Sequence, residues 1–226
     1  MYTDTEPVSG PLLSVQDLKA YFYMDEGVVK AVDGVSFDVH PGQVVGIVGE
    51  SGCGKSVTMK AILQILEPGG KIVSGKVVLR TRLNSRDPHS PEELLELTRL
   101  HPNSKQMRKI RGAEIALIPQ EPMAAFSPVH TVGDQIMEAI LLHNKVSKAE
   151  ARQMAVDVFR SVGISMPEQR IDAYSWELSG GLRQRAIIAM ALSCNPRLLI
   201  ADEPTTAIDV TTQAQILRLL RDLQRE

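Results

Sequence analysis

Leu13-Ser14-Val15-Gln16-Asp17-Leu18 alternates apolar and polar positions, the two-residue period of a half-buried strand. The aromatic cluster Tyr21-Phe22-Tyr23 follows, with a turn expected at Gly27. Val28 to Val39 alternates again, placing Val35, Phe37 and Val39 on one face before Pro41-Gly42 turns the chain. Val44-Val45-Gly46-Ile47-Val48 is short, apolar and β-branched, and it reads as a buried strand. Met59, Ile62 and Leu66 then recur at helical spacing until Pro68-Gly69-Gly70 ends that element. Ile72 to Leu79 is another strand, with Ser74-Gly75 as a bulge. The pattern predicts an antiparallel sheet that leads into an α/β core.

Residues 81–109 are polar and mixed in charge, and Pro88, Pro91 and Pro102 interrupt them. Pro91-Glu92-Glu93 is expected to open a short helix through Leu97. Neither His89 nor His101 has metal-ligand spacing, so both read as surface residues. Lys105, Arg108, Lys109 and Arg111 read as a solvated face, and no function follows from the stretch. Ile115 to Ile118 is a compact buried strand ending at Pro119-Gln120-Glu121-Pro122. Thr131 to His143 carries Val132, Ile136 and Ile140 at four-residue steps. Ser147-Lys148-Ala149-Glu150 is a capping box. It opens a helix with Ala151, Met154, Ala155, Val158, Phe159 and Val162 on one face, and Gly163 is a natural stop. Residues 121–196 are therefore expected to form a helical lobe inserted between strands. Leu198 to Ala201 is an apolar strand ending in Asp202-Glu203. Thr211 to Glu226 reads as an amphipathic helix with Ile216, Leu219, Leu220 and Leu223 on one face.

Composition narrows the class. The chain of 226 residues is 43% hydrophobic and 23% charged, enough for one sizeable core. Its formal net charge of -2 argues against a general nucleic-acid binder. No apolar run approaches the ~18 residues that span a bilayer. Met1 to Pro11 lacks the layout of a signal peptide and reads as a disordered lead-in. Cys53 and Cys194 are too few for a disulfide framework, which suits a reducing cytoplasm.

The chemistry starts at Gly49-Glu50-Ser51-Gly52-Cys53-Gly54-Lys55-Ser56, which fits G-x-x-x-x-G-K-[ST] between a strand and a helix. Gly49, Gly52 and Gly54 let the backbone approach an anion closely. Loop N–H groups and the helix N-terminus then point at phosphate oxygens. Lys55 can reach the β- and γ-phosphates and the Ser56 hydroxyl can ligate Mg²⁺. A ligand-free glycine turn is the plainer reading, and the strand–loop–helix order speaks against it. One aromatic of Tyr21-Phe22-Tyr23 either stacks on an adenine ring or is buried in the sheet, and the residues leave both readings open. Leu178-Ser179-Gly180-Gly181-Leu182-Arg183-Gln184-Arg185 heads a helix with a second anion site. Asp202 is expected near the Mg²⁺, with Glu203 free to polarise a water.

Taken in order, these stretches resemble the ATP-binding subunits of ABC transporters, from about Leu12 to Glu226. A P-loop alone would also allow a kinase, but a kinase leaves Leu178 to Arg185 unexplained. Lys30-Ala31-Val32-Asp33-Gly34-Val35-Ser36-Phe37, the P-loop with Val57-Thr58, and Gln120-Glu121-Pro122-Met123 are similar to the dipeptide, oligopeptide and nickel importer branch. Ala201 to Ala207 agrees. Pro119, Phe126, Trp176 and Ile208 depart from that branch, none of them at a phosphate-binding position.

The resemblance implies a P-loop NTPase (RecA-like) α/β core over 12–120 and 197–226, with an N-terminal antiparallel β subdomain and a helical subdomain over 121–196. It implies ATP and Mg²⁺ as ligands. Gly49 to Val57 and Phe22, with Tyr23 in reserve, would bind the nucleotide. Ser179, Gly180, Gly181 and Asp209 would meet it across a head-to-tail pair of subunits, identical or different. Ser56, Gln120 and Asp202 would hold the metal, and Glu203 would be the general base. Separate integral-membrane permeases would be the partners, with the chain peripheral on the cytoplasmic face and no nucleic acid bound. The transported solute stays open. The competing class is an ABC-type ATPase of DNA repair or chromosome maintenance, which typically carries coiled-coil or zinc-bearing insertions absent here. The family's next element is a strand followed by a histidine at the γ-phosphate, to which no residue here corresponds; His143 falls in the helical lobe. The resemblance thus implies a chain incomplete at its C-terminus that binds ATP but hydrolyses it poorly.

Overall fold

The computed structural model describes residues 10–82, 90–120, 125–204 and 210–225, in two units that divide after Met107. The first unit is built on an antiparallel sheet of order β2-β1-β3-β4: β1 Leu13–Met24, β2 Gly27–Val39, β3 Gly70–Arg82 and β4 Glu92–Glu96. Leu13, Val15, Leu18, Ala20 and Phe22 are its buried positions on β1. Each large apolar side chain removed from water there contributes about 1.5–3 kcal/mol. The β1–β3 register shifts twice: between Gln16 and Lys19 the extra residue is on β1, where Asp17 and Leu18 face Gly75, and the extra residue of β3 is Val73, next to the bulge expected at Ser74-Gly75. Asp17 has φ +44° and Gly75 φ +93°. A Cβ on residue 75 would lie 2.3 Å from Asp17 O, so only glycine fits that crossing.

Three expectations change. The stretch from Pro91 to Leu97 is not a helix: Glu92–Glu96 pairs with β3, Glu92 opposite Arg82 and Glu96 opposite Val78, and a 3₁₀ turn at Leu97–Arg99 follows. The edge of β3 supplies ladder partners and opposite charge, with Arg80 and Arg82 at 3.6 and 3.7 Å from the Glu92 carboxylate. Val44–Val48 carries no strand pairing, and Val44 and Val48 are 77% and 96% exposed. An apolar run becomes a strand only when a neighbour takes up its N–H and C=O groups. The helix after the glycine loop, α1 Lys55–Ile62, stops before Leu66, where Leu63 caps it and Gln64 turns left-handed at φ +53°.

The charged helix α2, Lys105–Ala113, buries Met107 and Ile110 and exposes Lys105, Arg108 and Lys109, as expected of a solvated face. Arg111 is only half-exposed, and burial lowers its pKa. His101 is exposed, whereas His89 lies outside the described residues.

In the second unit, β5 Ile115–Ile118 and β6 Leu198–Ala201 pair in parallel, Ile115 opposite Leu198 and Ile118 opposite Ala201. Among the described residues this unit also has the helices α3 Val132–His143, α4 Lys148–Ser161, α5 Pro167–Arg170, α6 Gly180–Leu192 and α7 Val210–Arg225. Thr131 Oγ1 caps α3 by accepting from the Asp134 N–H at 3.0 Å. The capping box forms as expected: Glu150 N–H donates to Ser147 Oγ, and Ser147 N–H donates to Glu150 Oε2 at 2.7 Å. That second bond holds the Glu150 carboxyl below its ordinary pKa. Gly163, at φ +75°, follows the end of α4. Ile136, Ile140, Phe159, Ile171, Ile187 and Ile216 are fully buried in one cluster that also takes in Ile118 of β5. The helices and the two parallel strands therefore share a core. Removing the Phe159 ring would cost about 3–5 kcal/mol. Leu219, Leu220 and Leu223 of α7 pack against the same cluster, on the face expected.

Candidate functional site

The glycine loop lies wholly in the first unit. Gly54 caps α1 in a left-handed conformation, φ 94° and ψ 9°. A Cβ there would stand 2.1 Å from the carbonyl oxygen of Ala31 on β2, so the loop runs directly over the strand. Thr58, nearly buried, donates both its N–H and its hydroxyl to Gly54 O, at 2.8 and 2.9 Å. Lys55 Nζ donates to Gly49 O and Glu50 O, each at 2.8 Å, bending the ammonium back over its own loop. Ser51, Gly52 and Cys53 are exposed; Ser56 and Val57, in the first turn of α1, are half-buried. The first-turn N–H groups of α1 have no helical acceptor. Beside a lysine, they make a cradle for an anion.

Phe22 and Tyr23 point to opposite faces of β1. Phe22 is 9% exposed and so close to Gly70 that a Cβ there would touch its ring, whereas Tyr23 is 48% exposed with Lys71 Nζ 5.6 Å from its ring centre. The third aromatic, Tyr21, donates its hydroxyl to Asp33 Oδ1 at 2.6 Å, which pushes its pKa up to about 12.

The carboxylates belong to the second unit. Parallel pairing ends β5 and β6 at one level, which brings the residues just past each strand together at their C-terminal ends, the usual place for ligands in α/β sheets. Asp202 N–H donates to Ile118 O at 2.9 Å, and the Asp202 residue is 7% exposed. Gln120 Nε2 donates to Glu203 Oε2 at 2.9 Å. Glu203 is exposed and has φ +46°, an uncommon conformation for a residue with a Cβ. Gln120 and Glu203 are thus brought together, with Asp202 beside Glu203 in the chain. The Gln120 amide oxygen and the Asp202 carboxylate are hard oxygen donors of the kind Mg²⁺ takes, and so, within the first unit, is the Ser56 hydroxyl.

Ser179 caps α6, its Oγ accepting from the Leu182 N–H at 3.4 Å, with Gly180 and Gly181 as the first helical residues. Leu178 is buried and Arg183 Nε donates to its carbonyl at 2.7 Å, which anchors the turn while Ser179 and Gly180 stay exposed. Just before it, Tyr174 and Trp176 stack at 5.5 Å, with Trp176 61% exposed. Asp209 lies outside the described residues. Gln184, which the sequence marks only as part of the Leu178–Arg185 stretch, is 2% exposed on α6 and donates from Nε2 to Pro204 O at 2.7 Å. A lone glutamine in a run of Arg-Gln-Arg carries no signal of burial.

A glycine loop heading a helix with its lysine, followed along the chain by parallel strands that end in Gln120 and Asp202-Glu203, defines an α/β P-loop NTPase. The chain belongs to the ABC transporter family, whose model matches residues 32–206. It is similar to the probable peptide ABC transporter ATP-binding protein y4tR of Sinorhizobium fredii, at 51% identity over 99% of this chain and 63% of that protein. The dipeptide transport ATP-binding protein DppD of Bacillus subtilis is 48% identical over 95% of this chain and 60% of its own length. The chain thus spans about three fifths of these relatives. Among solved structures, the ATP-binding cassette MJ0796, dimeric in a post-hydrolysis state with ADP and phosphate, superposes with a TM-score of 0.75. The identity there is 25%, covering 94% of this chain and 82% of that one.

Proposed function

We propose that this chain is the ATP-binding and ATP-hydrolysing subunit of a peptide importer, working beneath separate membrane permease subunits. The observation that carries the nucleotide reading is the Gly49–Ser56 loop over β2, with Lys55 Nζ folded onto its carbonyls and α1 opening behind it. The peptide assignment is supported by the names of the y4tR and DppD relatives. Neither is a repair protein, so nothing favours the chromosome-maintenance alternative.

In this reading Lys55 and the loop amides of Gly49 to Val57 bind the phosphates of ATP. Ser56 and Gln120 ligate Mg²⁺ and Asp202 supports it through water; the ion, when bound, neutralises charge on the β- and γ-phosphates. Glu203 is the general base that takes a proton from the attacking water. Ser179, Gly180 and Gly181 serve the nucleotide of a second ABC subunit, identical or related, with Asp209 at the seam. Residues 121–196 form the helical subdomain and face the permease at the cytoplasmic surface. No described helix is long and apolar enough to cross a membrane.

The test pairs two variants. Lys55→Ala is expected to abolish measurable ATP binding, because it removes the cation aimed at the β- and γ-phosphates. Glu203→Gln is expected to keep binding and lose turnover, since an amide is no base. Equal ATP affinity in wild type and Lys55→Ala would refute the nucleotide site. The peptide reading fails if the chain, reassembled with permeases encoded beside it, gives no ATP-dependent peptide uptake while another solute is taken up.

A further inference from the structure

Glu203 stands at a backbone conformation that few side chains adopt. Its φ of +46° lies in the left-handed region, where a residue with a Cβ persists only if its flanks hold it. Both flanks are tethered. On one side Asp202 N–H donates to Ile118 O at 2.9 Å, one step past the β5–β6 pairing. On the other, Pro204 has no N–H to offer, and its carbonyl accepts from Gln184 Nε2 at 2.7 Å. Gln184 is 2% exposed and sits on α6, the helix that Ser179 caps. An amide buried that deeply is justified by what it bonds, because a dry unpaired amide is worse than an apolar side chain of the same size. Between the two tethers, the Glu203 carboxylate meets Gln120 Nε2 at 2.9 Å.

We propose that Gln184 is a positioning residue for Glu203, fixing the chain just past it so that the carboxylate is held at Gln120. This rests on Glu203 being the general base. Gln184 acts through the Pro204 carbonyl and not on the substrate. Because α6 carries both Gln184 and the Ser179 turn, a movement of that helix reaches Glu203 through the Gln184–Pro204 hydrogen bond.

Two measurements on the chain test this. With glutamine ¹⁵N-labelled, the Gln120 side-chain amide resonance is expected to move in Gln184→Leu toward its position in Glu203→Ala, while the backbone amides of β5 and β6 stay in place. In turnover, Gln184→Leu is expected to lower kcat by about tenfold to a hundredfold. KM for ATP should stay within about twofold, because no ground-state contact is lost. Gln184→Glu covers the case in which the leucine variant does not fold. Its protonated carboxyl can donate to Pro204 O and its ionised form cannot, so its kcat relative to wild type at the same pH should rise as pH falls. A structural role alone would lower the melting temperature and leave the Gln120 resonance, the kcat per folded chain and that pH ratio unchanged, which overturns the proposal. Wild-type kcat in Gln184→Leu beside an inactive Glu203→Gln overturns the proposal and leaves the base assignment standing. Full turnover by Glu203→Gln removes the base assignment and the proposal with it.

Discussion

Replacing Gly54 by alanine should separate loop geometry from loop charge. The substitution leaves Lys55 and Ser56 intact, yet its Cβ would stand 2.1 Å from Ala31 O. Carbon and carbonyl oxygen rest no closer than about 3.3 Å even in favourable contacts, so roughly 1.2 Å must be found somewhere. Ala31 itself is the extra residue at a β1–β2 register shift, but Lys30 and Val32 on either side are registered against Tyr21 and Ala20 of β1, so the strand yields little. The loop has to move, carrying the first turn of α1 with it. The cost is twofold. A Cβ at φ +94° costs about 1–2 kcal/mol by itself, and for a chain of this size that lowers the melting temperature by about 2–8 °C. Displacing the loop amides by more than 1 Å breaks charge-assisted bonds of about 1.5–3 kcal/mol each. Losing two of them weakens ATP binding by roughly a hundredfold to ten-thousandfold. Gly52→Ala is the control: it has φ +81° and open space around its Cβ, so it carries the strain without the collision. Calorimetric titration with Mg-ATP and a thermal melt on both variants check this. Gly54→Ala binding within about threefold of Gly52→Ala would refute the reasoning, since two bonds at these energies cannot vanish unnoticed.

The geometry sets two further outcomes. Ser179→Arg should leave the nucleotide affinity of a single chain near wild type and prevent ATP-driven association, because it fills the exposed N-terminus of α6; light scattering with Mg-ATP in a Glu203→Gln background reads it, and an undiminished dimer sinks the composite site. The Tyr21 hydroxyl, bound to Asp33, loses its proton only near pH 12 in the folded chain, against 10.0 ordinarily, so the folded state holds that proton more tightly. Its contribution to stability is therefore full below pH 10 and lost as pH rises toward 12. The difference in urea midpoint between wild type and Tyr21→Phe should shrink across that window, and a difference that widens there contradicts the assignment.

Much of the fold was readable because the signals are local. A capping box needs only Ser147 and Glu150, and the turn before α6 needs only Ser179 and two glycines. Gly75 marked an irregularity because glycine in a strand has few other uses, although the residue it makes room for, Asp17, is on the neighbouring strand. What failed depended on distant neighbours. Glu92–Glu96 has helix-forming residues and a proline in front, yet the open edge of β3 with Arg80 and Arg82 decides its conformation. The Val44–Val48 run says strand in its composition and nothing about who would pair with it. Gln120 and Glu203 were placed at one site by resemblance; their hydrogen bond needed the parallel register of β5 and β6. Gln184 was illegible because burial of a single polar residue is decided by what the helix packs against.

The crossing of Asp17 and Gly75 settles what one residue is for. Before it, the buried positions of β1 are Leu13 and Val15, both odd; after it they are Leu18, Ala20 and Phe22, all even. Closing the chain up by one residue would make the series uninterrupted, while the opposite shifts at Val73 of β3 and at Gly34 and Ala31 of β2 would remain. The apolar pattern alone would therefore be satisfied by a strand one residue shorter. What the extra residue adds is curvature, since a bulge bends its strand and increases the local right-handed twist. Asp17 and the glycine that makes room for it set the shape of the sheet, and leave unchanged which side of it is dry.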